Sequence, residues 1–191
     1  MVGVDATEAM VRKGERHCRD EGLETRIRFV LGDACETGLE AGGADFVWGE
    51  DAWCYVVDKG KLIAEAARIV RPGGTIAFTD WIETDPGLSA PEAERYLRFM
   101  KFPNVQTLDG YRGLLQTNGC DVLVAKDTGR FAPHVDLYLN MLGMQLTYDA
   151  LQIIGFDQDL MKAMAGEMAF MQHLAHAGKI AQGLFVARKR G

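Results

Sequence analysis

Four acidic residues each stand near the end of a short apolar run of the chain. They are Asp5, Asp33, Glu50 and Asp80. In sheets of parallel strands the carboxyl ends meet at one edge, where α/β proteins bind their ligands. We therefore predict a ligand crevice lined by carboxylates. In it Asp5 could accept hydrogen bonds from a ribose diol and Asp33 could accept one from an adenine amino group. Taken singly, Asp5 could instead cap the following helix and Asp33 could be a turn residue.

The segments around these acids predict alternating strands and helices. This order is typical of βαβ units and a parallel sheet. A mostly helical stretch, 131–178, is too long for a hairpin and is predicted to be an insertion or cap before the last strand. Strands are predicted at 1–4, 27–31, 44–48, 75–79, 120–125 and 184–187, and helices at 6–22, 61–70, 90–101, 108–118 and 157–177.

Composition limits the class of protein. The chain has 191 residues, of which 48% are hydrophobic, so it can bury the core of one domain and is not disordered. Its net charge of −6 disfavours binding to nucleic acid or to an anionic membrane. Its four cysteines form no CxxC pair, which argues against a zinc site and a disulfide framework. We expect no metal, no signal peptide, no membrane helix and a cytoplasmic location.

Several motifs resemble those of class I S-adenosylmethionine-dependent methyltransferases. They are VD at 4–5, GDA at 32–34, WGEDA at 48–52 and RIVRPGG at 68–74 before a strand. The chain is most similar to small-molecule N-methyltransferases such as the sarcosine/dimethylglycine enzymes, which also have a helical insertion before the last strand. The resemblance implies one α/β domain with a doubly wound, mostly parallel, Rossmann-like sheet. It comprises a core at 1–130, the insertion at 131–178 and the last strand at 179–191.

The resemblance also implies a binding site for S-adenosylmethionine. Asp5 would hold the ribose hydroxyls, Met10 would pack near the adenine face, and Asp33 would meet the adenine amino group. Backbone at two alanines would pass beside the adenine, and the residues after the third strand would line the methionine end. The complete implied set is Asp5, Ala6, Met10, Asp33, Ala34, Gly49 and Glu50.

One departure from the family pattern is that no GxGxG loop is present. In family terms the chain begins at the second strand, so we expect an N-terminally truncated sheet that is open in the middle. We interpret the chain as a fragment or as having a misassigned start. The alternative is a short protein whose second and fourth family strands pair directly. The lack of the glycine-rich loop predicts weak cofactor binding, because backbone hydrogen bonds to the methionine half are lost.

The acceptor side is less specified by sequence. An amine must be neutral to attack, and Glu50, Asp51 or His134 could take its proton, although a lone histidine is more often a surface or capping residue. Methylated ammonium groups are attracted by aromatic faces, or these aromatics simply pack at the rim. The aromatic candidates are Trp53, Tyr55 and Trp81, and a carboxylate of the acceptor could pair with Arg95, Arg98 or Arg130.

We therefore predict methyl transfer to a small molecule, most simply an amine such as a glycine derivative. The first alternative is O- or C-methylation of a quinol-like or lipid acceptor. The second is a non-catalytic remnant that binds a partner through the gap in the sheet. The expected partner is a small-molecule substrate, with no nucleic acid and no membrane, and a homodimer is left open.

Overall fold

The computed structural model describes residues 1–144 and 152–191. Strands and helices alternate over the first half, as the sequence predicts. The strands are β1 (Val2–Asp5), β2 (Arg28–Leu31), β3 (Ala44–Glu50), β4 (Val70–Glu83), β5 (Gln106–Thr107), β6 (Cys120–Asp127) and β7 (Ile180–Lys189). The helices are α1 (Glu8–Asp20), α2 (Lys59–Ile69), α3 (Ala90–Met100), α4 (Leu108–Thr117), α5 (Phe131–Met144) and α6 (Gln158–His176), with a 3₁₀ turn at Trp53–Tyr55.

The strands form two sheets with Rossmann-like connections. β1 pairs with β2 in parallel, and β3 pairs with β4 in parallel. β7 lies between β4 and β6 and is antiparallel to both. The short β5 pairs in parallel with the last residues of β4. The predicted fold class, a doubly wound and mostly parallel α/β sheet with a helical insertion before the last strand, is confirmed.

A cleft separates the two sheets in the middle of the molecule. No hydrogen-bonded pairing joins β1 to β3 in the described structure. The cleft has a volume of about 730 Å³ and is lined by Val2 and Val4 on one side and by Phe46 and Trp48 on the other. The prediction of an open sheet is confirmed, and the alternative in which these two strands pair directly is wrong.

β4 is longer than the sequence predicts. The prediction places a turn at 71–74 and the strand at 75–79, whereas the strand runs from Val70 to Glu83. The RPGG segment is an irregularity within the ladder, because the pairing register with β3 shifts there. A Cβ on Gly74 would lie 2.9 Å from the backbone oxygens of Asp45 and Arg71, so this close approach requires glycine.

Two hydrophobic clusters hold the five-stranded sheet. One lies under α2 and α4 and centres on Phe78 and Phe185, whose ring centroids are 4.6 Å apart. The other joins α3, α5 and α6 around Tyr96 and Leu174. Over 1–144 and 152–191, no helix is both long and apolar enough to span a bilayer.

The insertion starts after β6, with α5, and ends where β7 begins. Ile180 stands opposite Glu83 in the ladder, so the insertion returns to the sheet at the carboxyl end of β4. Residues 145–151, which belong to the predicted insertion, lie outside the described residues.

Candidate active site

The carboxyl ends of the parallel strands deliver acidic residues to one edge. Asp5 pairs with Leu31 at the ends of β1 and β2, and the N–H of Gly32 donates to the carbonyl of Asp5 at 3.0 Å. Glu50 ends β3 opposite Thr79. The predicted parallel arrangement within each strand pair is therefore present.

The carboxylates of Asp5 and Asp33 are both oriented by neighbouring backbone. Oδ1 of Asp5 accepts the N–H of Thr7 at 2.7 Å, and Thr7 occupies the N-cap position of α1. Oδ1 of Asp33 accepts the N–H of Cys35 at 2.8 Å. Asp5 thus forms a turn before the helix and is not its N-cap residue. Among the described residues, no hydrogen bond reaches the second oxygen of the Asp5 carboxylate, so this oxygen could accept a further donor such as a ribose hydroxyl.

The residues expected near the adenine lie beside these acids. Ala6 and Met10 are exposed at the start of α1, and Met10 is 48% exposed, as a side chain that covers a ligand face would be. Ala34 is half-buried and packs against the core cluster under α2. The expected contacts of Ala6, Met10 and Ala34 with an adenine stay a prediction.

Gly49 and Glu50 lie at the end of β3, next to the cleft. Gly49 is buried, and a Cβ there would collide with the indole nitrogen of Trp53. Glu50 is exposed.

Asp51 has a strained backbone, and one oxygen of its carboxylate lacks a hydrogen-bond partner among the described residues. Its φ is +48°, in the left-handed region, and its N–H donates to the carbonyl of Thr79 at 3.0 Å. Its Oδ2 accepts the amide of Gln182 at 2.7 Å. Oδ1 of Asp51 and the hydroxyl of Thr79 are buried and have no hydrogen-bond partner in the described structure. Such groups favour an occupant that supplies a donor.

Two of the three aromatic candidates meet in one cluster. Tyr55 contacts Phe102 edge-to-face with centroids 5.0 Å apart, and Trp81 contacts Phe102 at 5.5 Å and Phe131 at 4.7 Å. The indole of Trp53 lies elsewhere: it is buried and stacks on Phe78 at 4.1 Å. The structure thus brings together Tyr55 and Trp81, and it places Trp53 in the core.

His134 and the candidate arginines lie on or next to helices and belong to none of these aromatic contacts. His134 is exposed in the first turn of α5, and among the described residues no hydrogen bond joins it to Glu50 or Asp51. Arg95 is paired with Glu167 at 2.9 Å and lies over the Phe170 ring. Arg98 is paired with Glu94 at 3.7 Å, and Arg130 precedes α5.

Asp80, the fourth acid of the sequence pattern, faces the core. It is fully buried, and its carboxylate accepts the Cys54 N–H at 2.8 Å and the Tyr111 hydroxyl at 2.5 Å. Burial raises the pKa of Asp80, and burial also lowers the pKa of Lys59, whose Nζ donates to the carbonyl of Cys54 at 3.2 Å. These ionisable groups support the segment that follows β3.

Sequence reasoning missed Thr79 and Gln182 as site residues and misplaced Asp80. A two-residue alternation was the available signal: Ile76, Phe78, Asp80 and Ile82 share one face of β4, and Thr79 lies on the other. No sequence pattern singled out Gln182, because its place depends on the antiparallel pairing of β7 with β4. Within the described chain, no group of three His, Cys, Asp or Glu side chains could hold a metal ion.

Comparison with known proteins finds similarity to methyltransferases. Residues 1–78 match the family model described as a methyltransferase domain. Dimethylglycine N-methyltransferase of Parasynechococcus marenigrum is 33% identical over 98 residues, which are 48% of this chain and 35% of that protein. The 27-O-demethylrifamycin SV methyltransferase of Amycolatopsis mediterranei is 28% identical over 134 residues, 69% of this chain and 49% of that protein.

A solved structure confirms the fold. A candidate sarcosine dimethylglycine methyltransferase from Galdieria sulphuraria superposes with a TM-score of 0.87 at 22% identity, covering 99% of this chain and 69% of that one. The chain spans about half or less of the length of the two curated relatives above. Residues 1–78 of the chain therefore match a methyltransferase domain, and the whole described chain has the Rossmann-like fold of the class I S-adenosylmethionine-dependent methyltransferases.

Proposed function

We propose that this chain transfers the methyl group of S-adenosylmethionine to a small-molecule acceptor. The observation that carries the proposal is the family match over 1–78, because every residue expected to hold the cofactor falls inside it. The geometry agrees, since Asp5, Asp33 and Glu50 stand at the carboxyl ends of β1, β2 and β3.

The chain's own residues have simple tasks in such a reaction. The cofactor supplies an activated methyl group on a sulfonium, so the protein must chiefly position and shield the reactants. Asp5 would bind the ribose and Asp33 the adenine. Glu50 and Asp51 would face the acceptor, and a carboxylate here could take the proton of an attacking amine.

We further propose that the acceptor is a small amine such as a glycine derivative. Two observations support a cationic, donor-bearing acceptor. Oδ1 of Asp51 is a buried acceptor with no hydrogen-bond partner among residues 1–144 and 152–191, and an N–H group would satisfy it. Tyr55 and Trp81 both pack edge-to-face on Phe102 near the carboxyl ends of β3 and β4, and aromatic rings attract ammonium groups.

A second candidate is O- or C-methylation of an apolar acceptor. The insertion favours it through a set of partly exposed apolar side chains on α5 and α6: Leu137, Tyr138, Met141, Leu160 and Met164. Transfer of labelled methyl to dimethylglycine but not to a long-chain phenol would favour the amine, and the reverse would favour the apolar acceptor.

Replacement of Asp5 tests the cofactor site. Asp5→Ala should weaken the binding of S-adenosylhomocysteine by about 10- to 100-fold, because hydrogen bonds to a charged group contribute roughly 1.5–3 kcal/mol. Calorimetric titration measures this. The matched control is Glu24→Gln, since Glu24 is an exposed acid before β2, and it should leave the affinity unchanged. Equal affinities for wild type and Asp5→Ala would argue against the proposed site.

A further inference from the structure

The segment 51–58, between β3 and α2, is held from two sides by buried ionisable side chains. From the sheet, Oδ1 of Asp80 accepts the backbone N–H of Cys54 at 2.8 Å. From α2, Nζ of Lys59 donates to the carbonyls of Cys54 at 3.2 Å and Val56 at 2.5 Å. Asp80 is fully buried and Lys59 is 3% exposed, so both grip the segment out of contact with water.

Tyr111 completes this arrangement from α4. Its hydroxyl donates to the second carboxylate oxygen of Asp80 at 2.5 Å. Its ring packs edge-to-face on Phe78 and Phe185, with centroids 5.0 Å away in each case. The ring packing fixes the hydroxyl, and the hydroxyl in turn fixes the rotamer of the Asp80 carboxylate.

Burial of these charges opposes ionisation and does not by itself favour folding. Desolvation raises the pKa of Asp80 and lowers the pKa of Lys59. Both shifts reflect the free energy needed to hold a charged group away from water. An apolar residue at 80 would avoid that cost but would leave the Cys54 N–H without its acceptor. The role inferred for these buried polar groups is to specify one conformation of the segment rather than to add stability.

The conformation so specified sets the acceptor side of the proposed site. Cys54 Sγ donates to the carbonyl of Asp51 at 3.3 Å. This contact links Cys54, which Asp80 and Lys59 hold, to Asp51 with its strained backbone. The next residue, Tyr55, contacts Phe102. Movement of Cys54 would therefore displace both the Asp51 carboxylate and the Tyr55 ring.

We propose that Asp80 is a positioning residue: with Tyr111 and Lys59 it fixes the 51–58 segment and so aligns Asp51 and Tyr55 toward the acceptor. This inference rests on the proposed function for the acceptor, although the grip on the segment can be measured without any substrate. Asp80 itself does not touch the reactants and takes no proton from them.

Amide hydrogen exchange of the whole chain tests the grip. In Asp80→Leu the Cys54 amide should exchange at least about 10-fold faster, while amides in the β4–β7 ladder keep their protection. Asp80→Asn should rescue the Cys54 amide to within about threefold, because a carboxamide oxygen can still accept its N–H. Should Asp80→Leu fail to fold, Tyr111→Phe should show the same faster exchange. Unchanged exchange at Cys54 in both variants would overturn the inference.

Ligand binding tests the alignment separately. In Tyr111→Phe, S-adenosylhomocysteine should bind within about twofold of wild type, and dimethylglycine, titrated in its presence, at least about 10-fold more weakly. The control is Glu24→Gln, an exposed acid before β2, which should change neither affinity. Wild-type dimethylglycine affinity in a variant with a loosened segment would overturn the inference. Absence of dimethylglycine binding to the wild type would contradict the proposed amine acceptor. The amide exchange of Cys54 would then be the test of whether Asp80 holds the 51–58 segment.

Discussion

Gly49 links the backbone of the site to the packing of the core. Its buried Cα faces the indole of Trp53, and that ring stacks on Phe78 with centroids 4.1 Å apart. The indole cannot turn away without losing this stacking, since both rings are buried. The end of β3 can therefore pack against the Trp53 indole only because no side chain stands at this position.

Gly49→Ala should destabilise the protein by about 1–3 kcal/mol, because the added methyl overpacks the core against Trp53. Urea unfolding followed by tryptophan fluorescence measures this. Gly113→Ala is the matched control: Gly113 lies in α4 with open space around its Cα, so alanine should stabilise the helix by about 0.5–1 kcal/mol. A neutral Gly49→Ala would mean that the indole has room to shift.

At residue scale, the sequence identified the acidic residues that follow strands but could not predict which way their side chains point. Asp5, Asp33 and Glu50 follow apolar runs and were recognised for that reason. Asp80 follows such a run too, but it points into the core, because β4 continues past it to Glu83. Direction depends on which face of a strand is covered, and helices remote in sequence decide that.

At element scale, α2 is tied to the loop before β3 by Glu65. Its carboxylate accepts from the Thr37 N–H at 2.9 Å and from Nε of Arg68 at 2.7 Å. The side chain is 8% exposed. Hydrogen bonds from Arg68 and Thr37 together outweigh desolvation and lower the pKa of Glu65 from 4.5 to about 2.

The depressed pKa of Glu65 predicts an acid-sensitive contribution to stability. The folded pKa lies below the unfolded one, so the contribution is complete above about pH 4.5 and is lost as the pH falls toward 2. Glu65→Gln should therefore lower the free energy of unfolding at pH 7 and reduce the loss of stability between pH 5 and 3. Urea unfolding across that range measures both, with Glu24→Gln as an exposed control. Parallel pH profiles for Glu65→Gln and wild type would contradict this account.

The sequence allowed most of the strands and helices to be predicted, but it did not allow the residues at which they end to be predicted. Apolar periodicity indicated α2 and β6 within a few residues. The same pattern predicted that β4 ends at residue 79, because the charged Asp80 interrupts the apolar residues of its buried face. Strand ends depend on partners: residues 80–83 are held in the sheet by antiparallel pairing with β7 and by β5, which no local pattern reveals.

At the scale of the whole molecule, β1, α1 and β2 form a unit with its own small core. The Phe29 ring lies between the two backbones: a Cβ on Gly3 would approach it to 2.8 Å and one on Gly14 to 2.5 Å. Val11 and Cys18 of α1 are also buried. The cleft separates this unit from β3, and a two-stranded sheet has little stability of its own.

This division predicts that the β1–α1–β2 unit opens locally before the rest of the domain unfolds. Amides of β1 and β2 should exchange at least about 10-fold faster than those of β7, because local opening costs less than global unfolding. The matched control is β6, an edge strand that belongs to the continuous five-stranded sheet; its protection should stay close to that of β7. Saturating S-adenosylhomocysteine should slow exchange in β1 and β2 selectively, since a ligand held by Asp5 and Asp33 binds only the closed unit. Equal protection in β1 and β7 without ligand would show that contacts across the cleft join the two sheets into one cooperative core.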